Sequence, residues 1–224
     1  GQFQGTEPIR GFGAVAGVYE EACQIVVRAD SEISTVEELE GHRVSVGEEE
    51  SGTKQNALQI LAAYGLNEKL VEEVSLNYTE AAKELENGSI DAFFCTAGAQ
   101  TAAIANLAQR TGIRFLNVDG AAAARLKKSY PVYDSCIIAA GTYPGQEEDV
   151  STVGVKAVLL ASDSVSAEVV EELTALLFEE QQELDFALPV ELITEADAAA
   201  DGLPVPFHKG AERYYESRGE KSEN

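Results

Sequence analysis

Methionine is absent from all 224 residues, the first included, and histidine occurs only twice. No basic-then-apolar leader precedes Phe12, so the chain is expected to begin downstream of a segment removed or left out. Its residues therefore say nothing on a secretory signal. Cysteine is scarce: Cys23, Cys95 and Cys136 lie far apart inside apolar runs. An odd number cannot complete a disulfide set, no Cys-x-x-Cys spacing occurs, and all three read as small buried hydrophobes. No stretch has the roughly 18 uninterrupted apolar residues of a membrane-spanning helix. Basic residues are few, 16 Lys and Arg against 39 Asp and Glu, for a net charge of −23. Nucleic acid and anionic membrane surfaces both require basic patches, which excludes them as partners.

Reactive constellations are missing too. His42 sits in a turn among charged residues, and His208 lies in a Pro-flanked loop, which suits a structural histidine better than a general base. No Gly-x-Ser-x-Gly elbow occurs, and no metal-ligand spacing. Gly47 to Thr53 lacks the Gly-Lys-[Ser/Thr] ending of a phosphate-binding loop. The acidic clusters Glu48-Glu49-Glu50 and Glu147-Glu148-Asp149 lack calcium-loop spacing and read as solvated faces. The expectation is a protein without catalytic residues, metal or cofactor.

What is present is a core and a repeating order of elements. The chain is 45% hydrophobic, enough for one large domain or two small lobes. Residues 1–17 are glycine-rich and read as loop, and Cys23 to Val27 as a buried strand. Ser34 and Glu37 have capping-box spacing for a short helix ending at Gly41. From 43 to 128, strands near 43–46, 71–76, 90–95 and 114–118 alternate with helices near 52–64, 79–87, 101–110 and 121–128. Thr79 reads as the cap of the second helix. This alternation predicts a mostly parallel sheet covered by helices on both faces. Strands at 133–139 and 150–160 follow, then helices from Ser164 or Ser166 to about 184 and from 211 to 217.

In such a sheet ligands sit beyond the carboxyl ends of the strands. Two strand-to-helix turns, 47–53 and 96–101, are expected on that edge. Their helix N-termini offer unpaired amides at the positive end of the helix dipole. Gly47, Ser51, Gly52, Thr53 and Asn56 belong to the first turn; Ala97, Gly98, Gln100 and Thr101 belong to the second. Together they form a candidate seat for a carboxylate without an arginine. Tyr19, Phe93, Phe94, Tyr133 and Tyr143 are aromatics near predicted strand ends or loops, and Tyr19 joins the candidate ligand set.

Val44 to Asn56, with Ser51-Gly52-Thr53 and Asn56-Ala57, resembles the Gly-Ser-Gly-Thr region of TAXI-type solute receptors of TRAP transporters. Asp91 to Phe94 with Ala97 to Thr101, Gly141 to Gln146, Ile25 to Ser31, and Pro206 to Tyr215 resemble that family in the same order. The resemblance implies an α/β fold of the type 2 periplasmic-binding-protein kind, with parallel or mixed sheets covered by helices and two lobes closing on a small ligand. By analogy the second lobe spans 30–130, and residues 1–29 and 131–224 supply the first lobe and hinge strands. Family members carry a further Gly-rich segment before this start that contributes half the ligand site, so the first lobe is expected to be incomplete here. The implied ligand is a glutamate-like amino acid or other small carboxylate. The implied partners are the membrane subunits of a TRAP transporter, in the periplasm or outside the cell, with any membrane anchor in a leader absent from this sequence. A ligand-sensing domain of a signalling protein on the same fold is the alternative. Glu48 to Glu50 stand where the family usually has small residues and proline, and three carboxylates repel an anion unless they point outward.

Overall fold

The computed structural model describes residues 9–180 and 192–222. The chain divides into two compact units, residues 20–156 and residues 1–19 with 157–224. Both boundaries fall inside long strands, β1 (Phe12–Arg28) and β7 (Val150–Ser162).

In the larger unit, β2 (Arg43–Ser45), β3 (Glu72–Val74) and β4 (Ala92–Ala97) run parallel, with β2 in the middle. β1 pairs antiparallel with β4, and β5 (Ile113–Phe115) pairs antiparallel with β1. β6 (Asp134–Ile138) is antiparallel to β7. The strand order is β3-β2-β4-β1-β7-β6, with β5 also on β1. The four strands between 43 and 128, β2 to β5, thus run in one direction, as expected, and the sheet is mixed because β1 pairs antiparallel with both β4 and β5.

Alternation along the strands sends side chains to two cores. Cys23, Ile25 and Val27 of β1 and Ala92 and Phe94 of β4 join one core with α1 (Gly52–Ala63) and α4 (Gly120–Ser129). Ala22, Val26, Phe93 and Cys95 face the other core with α2 (Tyr78–Glu86) and α3 (Ala102–Arg110). Helices on both faces, expected from the sequence, follow from this two-sided burial.

Several local expectations are corrected. Glycine-rich residues 12–17 are strand rather than loop. Gly13 is there because a Cβ would lie 2.5 Å from the His208 amide nitrogen, where Ala14 exchanges backbone hydrogen bonds with Pro206 and His208. Glycine at that position marks close backbone approach. The short helix after Ser34 is only a 3-10 turn, Glu37–Leu39. Glu38, not Glu37, takes the Ser34 and Thr35 amides and the Ser34 hydroxyl. α2 is capped by Asn77, not Thr79, in a capping box with Glu80.

In the smaller unit, α5 (Ala167–Glu179), capped by Ser166, packs with the C-terminal helix α7 (Lys209–Ser222). The short helix α6 (Ala196–Ala200) precedes α7. Phe178 stacks on Tyr214 at 5.8 Å, and Gly210 lets the start of α7 sit against the Ala167 carbonyl. His208 is buried, and its Nδ1 accepts from the Gly210 amide. That is the structural role expected of it. The helix expected to reach residue 184 ends at Glu179; residues 181–191 lie outside the described residues.

Candidate functional site

Because β2, β3 and β4 are parallel, their carboxyl ends share one edge, and each is followed there by a helix: α1, α2 and α3. The first corner is built around Gly47. Its φ of +98° is open to glycine, and a Cβ would lie 2.8 Å from Thr53 Cγ2 and 3.1 Å from Ser51 Oγ. Ser51 caps α1: its hydroxyl accepts from the Lys54 amide at 3.1 Å and donates to the Glu48 carbonyl at 2.7 Å. The Gly52 and Thr53 amides then open the helix with no intrahelical acceptor to reach. Gly52 is exposed, and a Cβ there would have no neighbour within 4 Å.

Behind this corner the polar side chains are locked to one another. Thr53 Oγ1 bonds the Tyr78 hydroxyl, which donates to the Thr96 carbonyl at 2.9 Å. Asn56 Nδ2 donates to Thr96 Oγ1 at 3.2 Å, and Thr96 Oγ1 donates to Cys23 Sγ. The Tyr133 hydroxyl lies 2.8 Å from Asn56 Oδ1 and 2.7 Å from Gln59 Oε1. Asn56 and Thr96 therefore join the two predicted turns directly. Burial holds the Tyr78 and Tyr133 hydroxyls above their ordinary pKa, so both remain protonated donors.

The second turn is arranged differently. Gln100 is exposed at φ +65°, and Thr101 does not cap α3 with its side chain. Its hydroxyl instead donates to the Gly98 carbonyl at 2.9 Å. The Thr101 amide donates to the Tyr143 hydroxyl at 3.0 Å, and that hydroxyl donates to Gln24 Oε1 at 2.6 Å. One amide of the expected anion seat is thereby taken by a tyrosine from the loop after β6. Ala97 ends β4. Phe93 and Phe94 are core residues. Tyr19 belongs to the smaller unit, where it forms an antiparallel bridge to Leu192.

The glutamate run is exposed throughout. Glu49 bonds Lys54 Nζ at 2.7 Å and the Ser75 hydroxyl at 2.7 Å, and these contacts hold its carboxyl below the usual range. Lys54 is consequently a paired charge, and the corner offers an anion backbone amides rather than a side-chain cation.

Sequence reasoning did not reach Gln24, Ser75 or Tyr78, and it placed Thr96 in the second turn without counting it in the ligand set. Tyr78 carried a usable signal: Asn77 and Glu80 have capping-box spacing two residues ahead of the cap expected at Thr79, which would have exposed a third strand-to-helix turn on this edge. A cavity of about 510 Å³ lined by Arg28, Ser31, His42 and Asp91 lies beside the opposite ends of β2 and β4. There His42 Nδ1 is 3.2 Å from Asp91.

A model of the NMT1-like family matches residues 1–219. A TctC solute binding protein from Polaromonas is 15% identical with a TM-score of 0.51, over 88% of this chain and 67% of that one. The periplasmic aliphatic sulphonate binding protein SsuA from Escherichia coli is 19% identical with a TM-score of 0.47, over 97% and 67% of the two chains. An ancestral arginine-binding protein bound to glutamine is 17% identical with a TM-score of 0.40, over 90% and 63%. The chain spans 63% to 67% of the length of these structures. With the Polaromonas protein it shares a mixed α/β fold, a sheet flanked by helices.

Proposed function

The chain belongs to the NMT1-like family, and on that premise we propose that it is a solute receptor, not an enzyme, acting outside the cytoplasm. It holds a small polar solute with a carboxylate, a glutamate-like amino acid among the candidates, and delivers it to a transporter in the membrane. The observation that carries this reading is the edge where α1, α2 and α3 all start. There the amides of Gly52 and Thr53 are presented over side chains already bonded to one another. A network satisfied in advance gives a preorganised seat, which lowers the cost of ordering on binding. A helix N-terminus contributes about 0.3–1 kcal/mol toward an anion, and up to about 2 when partly buried. The TAXI-type resemblance of the ordered motifs makes a TRAP-type permease the partner of choice.

Isothermal calorimetry and thermal shift against glutamate, aspartate, succinate, glutamine and an alkanesulfonate test this reading. A true ligand at 100 times its Kd stabilises the fold by about 2.7 kcal/mol. A protein that none of these solutes stabilises would remove the carboxylate assignment.

A further inference from the structure

The charges of the first corner are fastened from the neighbouring turn. The Val46 amide donates to the Val74 carbonyl at 3.0 Å, which sets the turn after β2 against the turn after β3. Ser75, the next residue, puts its hydroxyl between Glu49 and Lys54. It donates to Glu49 Oε1 at 2.7 Å and accepts from Lys54 Nζ at 3.3 Å, and Lys54 Nζ donates to the same Glu49 oxygen at 2.7 Å. The three side chains close a ring of hydrogen bonds.

The two charges in this ring are held unequally. The Lys54 side chain is 19% exposed and that of Glu49 72%. Lys54 belongs to α1 and is largely enclosed at the helix start, so its ammonium stays there whatever its partner does. Glu49 is a long side chain in water, and an exposed ion pair alone barely offsets the rotamer freedom such a side chain gives up. Ser75 adds a short, half-buried hydroxyl placed by the backbone pairing of Val46 with Val74. The Lys54 ammonium and the Ser75 hydroxyl together hold the Glu49 carboxyl below the usual range. The residue after it, Glu50, has φ +61°, a left-handed conformation that a non-glycine residue keeps only where its surroundings over-determine it. Glu49 bonded to Ser75 on one side and Ser51 bonded to the Glu48 carbonyl on the other supply that restraint.

We propose that Ser75 is a specificity-determining residue of this corner: its hydroxyl fastens the Glu49 carboxylate over Lys54, so the ammonium is withheld from anions at large and the Gly52 and Thr53 amides are left to select by fit. The identity of the solute rests on the receptor reading above; the fastening of Glu49 does not. A serine that merely ties two turns together predicts weaker binding of every anion once its hydroxyl is lost. A serine that fastens Glu49 predicts the reverse for an anion with no special fit, because the loosened carboxylate uncovers the cation.

Ser75→Ala removes the hydroxyl and Ser75→Thr keeps it. In a carboxyl-carbon NMR titration Glu49 of the parent should ionise below the usual range, move up toward it in Ser75→Ala, and return in Ser75→Thr. Sulfate, titrated at low salt and followed at the Gly52 and Lys54 amides, should bind Ser75→Ala about three- to tenfold tighter than the parent, with the gain lost at high salt and absent from Ser75→Thr. A Glu49 titration that does not move in Ser75→Ala overturns the proposal. So does a sulfate affinity that stays the same or falls, and so does a Ser75→Thr protein that behaves like Ser75→Ala. Neither readout uses the receptor's solute. If glutamate and its analogues fail to bind the parent, the receptor reading falls, and these two measurements still decide the role of Ser75.

Discussion

Two glycines five residues apart give the corner a test in which stability and binding move separately. Gly47 has φ +98°, and an added Cβ would meet Thr53 Cγ2 at 2.8 Å and Thr53 Cβ at 2.9 Å. Gly47→Ala therefore incurs backbone strain of about 1–3 kcal/mol. Displacing the start of α1 to relieve the contact with Thr53, itself buried, adds about 1–3 kcal/mol. The expected total is about 2–6 kcal/mol, a large share of the roughly 5–15 kcal/mol of a folded domain. Gly52 is the opposite case: it opens α1, has no positive φ, and a Cβ there meets nothing within 4 Å. Gly52→Ala should stabilise by about 0.4–1 kcal/mol through the unfolded chain.

Binding should respond differently. In a helix the Cβ tilts toward the N-terminus, so the alanine methyl at 52 stands where an anion on the α1 amides would stand. Gly52→Ala is expected to raise the Kd for a carboxylate ligand about tenfold, equal to about 1.4 kcal/mol, while raising the urea midpoint. Urea unfolding and calorimetry on the two variants measure both quantities. A Gly47→Ala protein within about 0.5 kcal/mol of the parent would refute the strain argument. A stabilised Gly52→Ala protein that binds its ligand as tightly as the parent would refute the amide seat.

Tyr78→Phe leaves the buried Thr53 hydroxyl without its partner and should cost about 1–3 kcal/mol; adding Thr53→Val should cost little more, and a denaturation cycle showing simple additivity counts against the network. Glu49→Gln frees Lys54 from its 2.7 Å pair and should tighten carboxylate binding several-fold at low salt, with the gain lost at high salt in calorimetry. Cys23, Cys95 and Cys136 are pushed by burial from an ordinary 9.0 to about 12. Between those values the unfolded chain has released protons the folded chain keeps, so stability should hold below about pH 9 and fall as pH rises toward 12, and a urea midpoint that climbs over this window would contradict the burial.

The alternation of strands and helices from 43 to 128 was legible because each element carries its own signal. Ser51 and Asn56-Ala57 open α1 on a helical period, and Gly65 and Gly88 end α1 and α2 at φ +83° and +74°. Strand neighbours were not legible in this way. β5 follows α3 as β4 follows α2 and runs the same way, yet its partner is β1, antiparallel to both, because pairing is decided by partners distant in sequence. Gly13 misled for the same reason: its local reading is loop, whereas β1 is strand through partners distant in sequence, β7 beside it and the backbone of Pro206 to His208, nearly 200 residues on. The corner at Gly47 was visible as a turn and cap. The side chains that lock it, Tyr78 and Tyr133, come from segments whose local patterns concern other elements.

The glutamate run changes meaning once its geometry is known. Read as sequence, Glu48 to Glu50 oppose an anion at α1. In the fold all three are exposed, and Glu49 turns back on Lys54 and Ser75. Lys54 is the one lysine of α1, so pairing it removes the cation that would attract any anion irrespective of shape. Amides at Gly52 and Thr53 remain, and an amide hydrogen bond weakens steeply as its angle departs from linear. A long-range charge rewards proximity, whereas fixed amides reward fit. For an anion held as proposed, the run would shift the corner from general attraction toward geometric selection, and the Tyr143 hydroxyl on the Thr101 amide would act in the same direction by occupying a donor that could serve an anion in another pose.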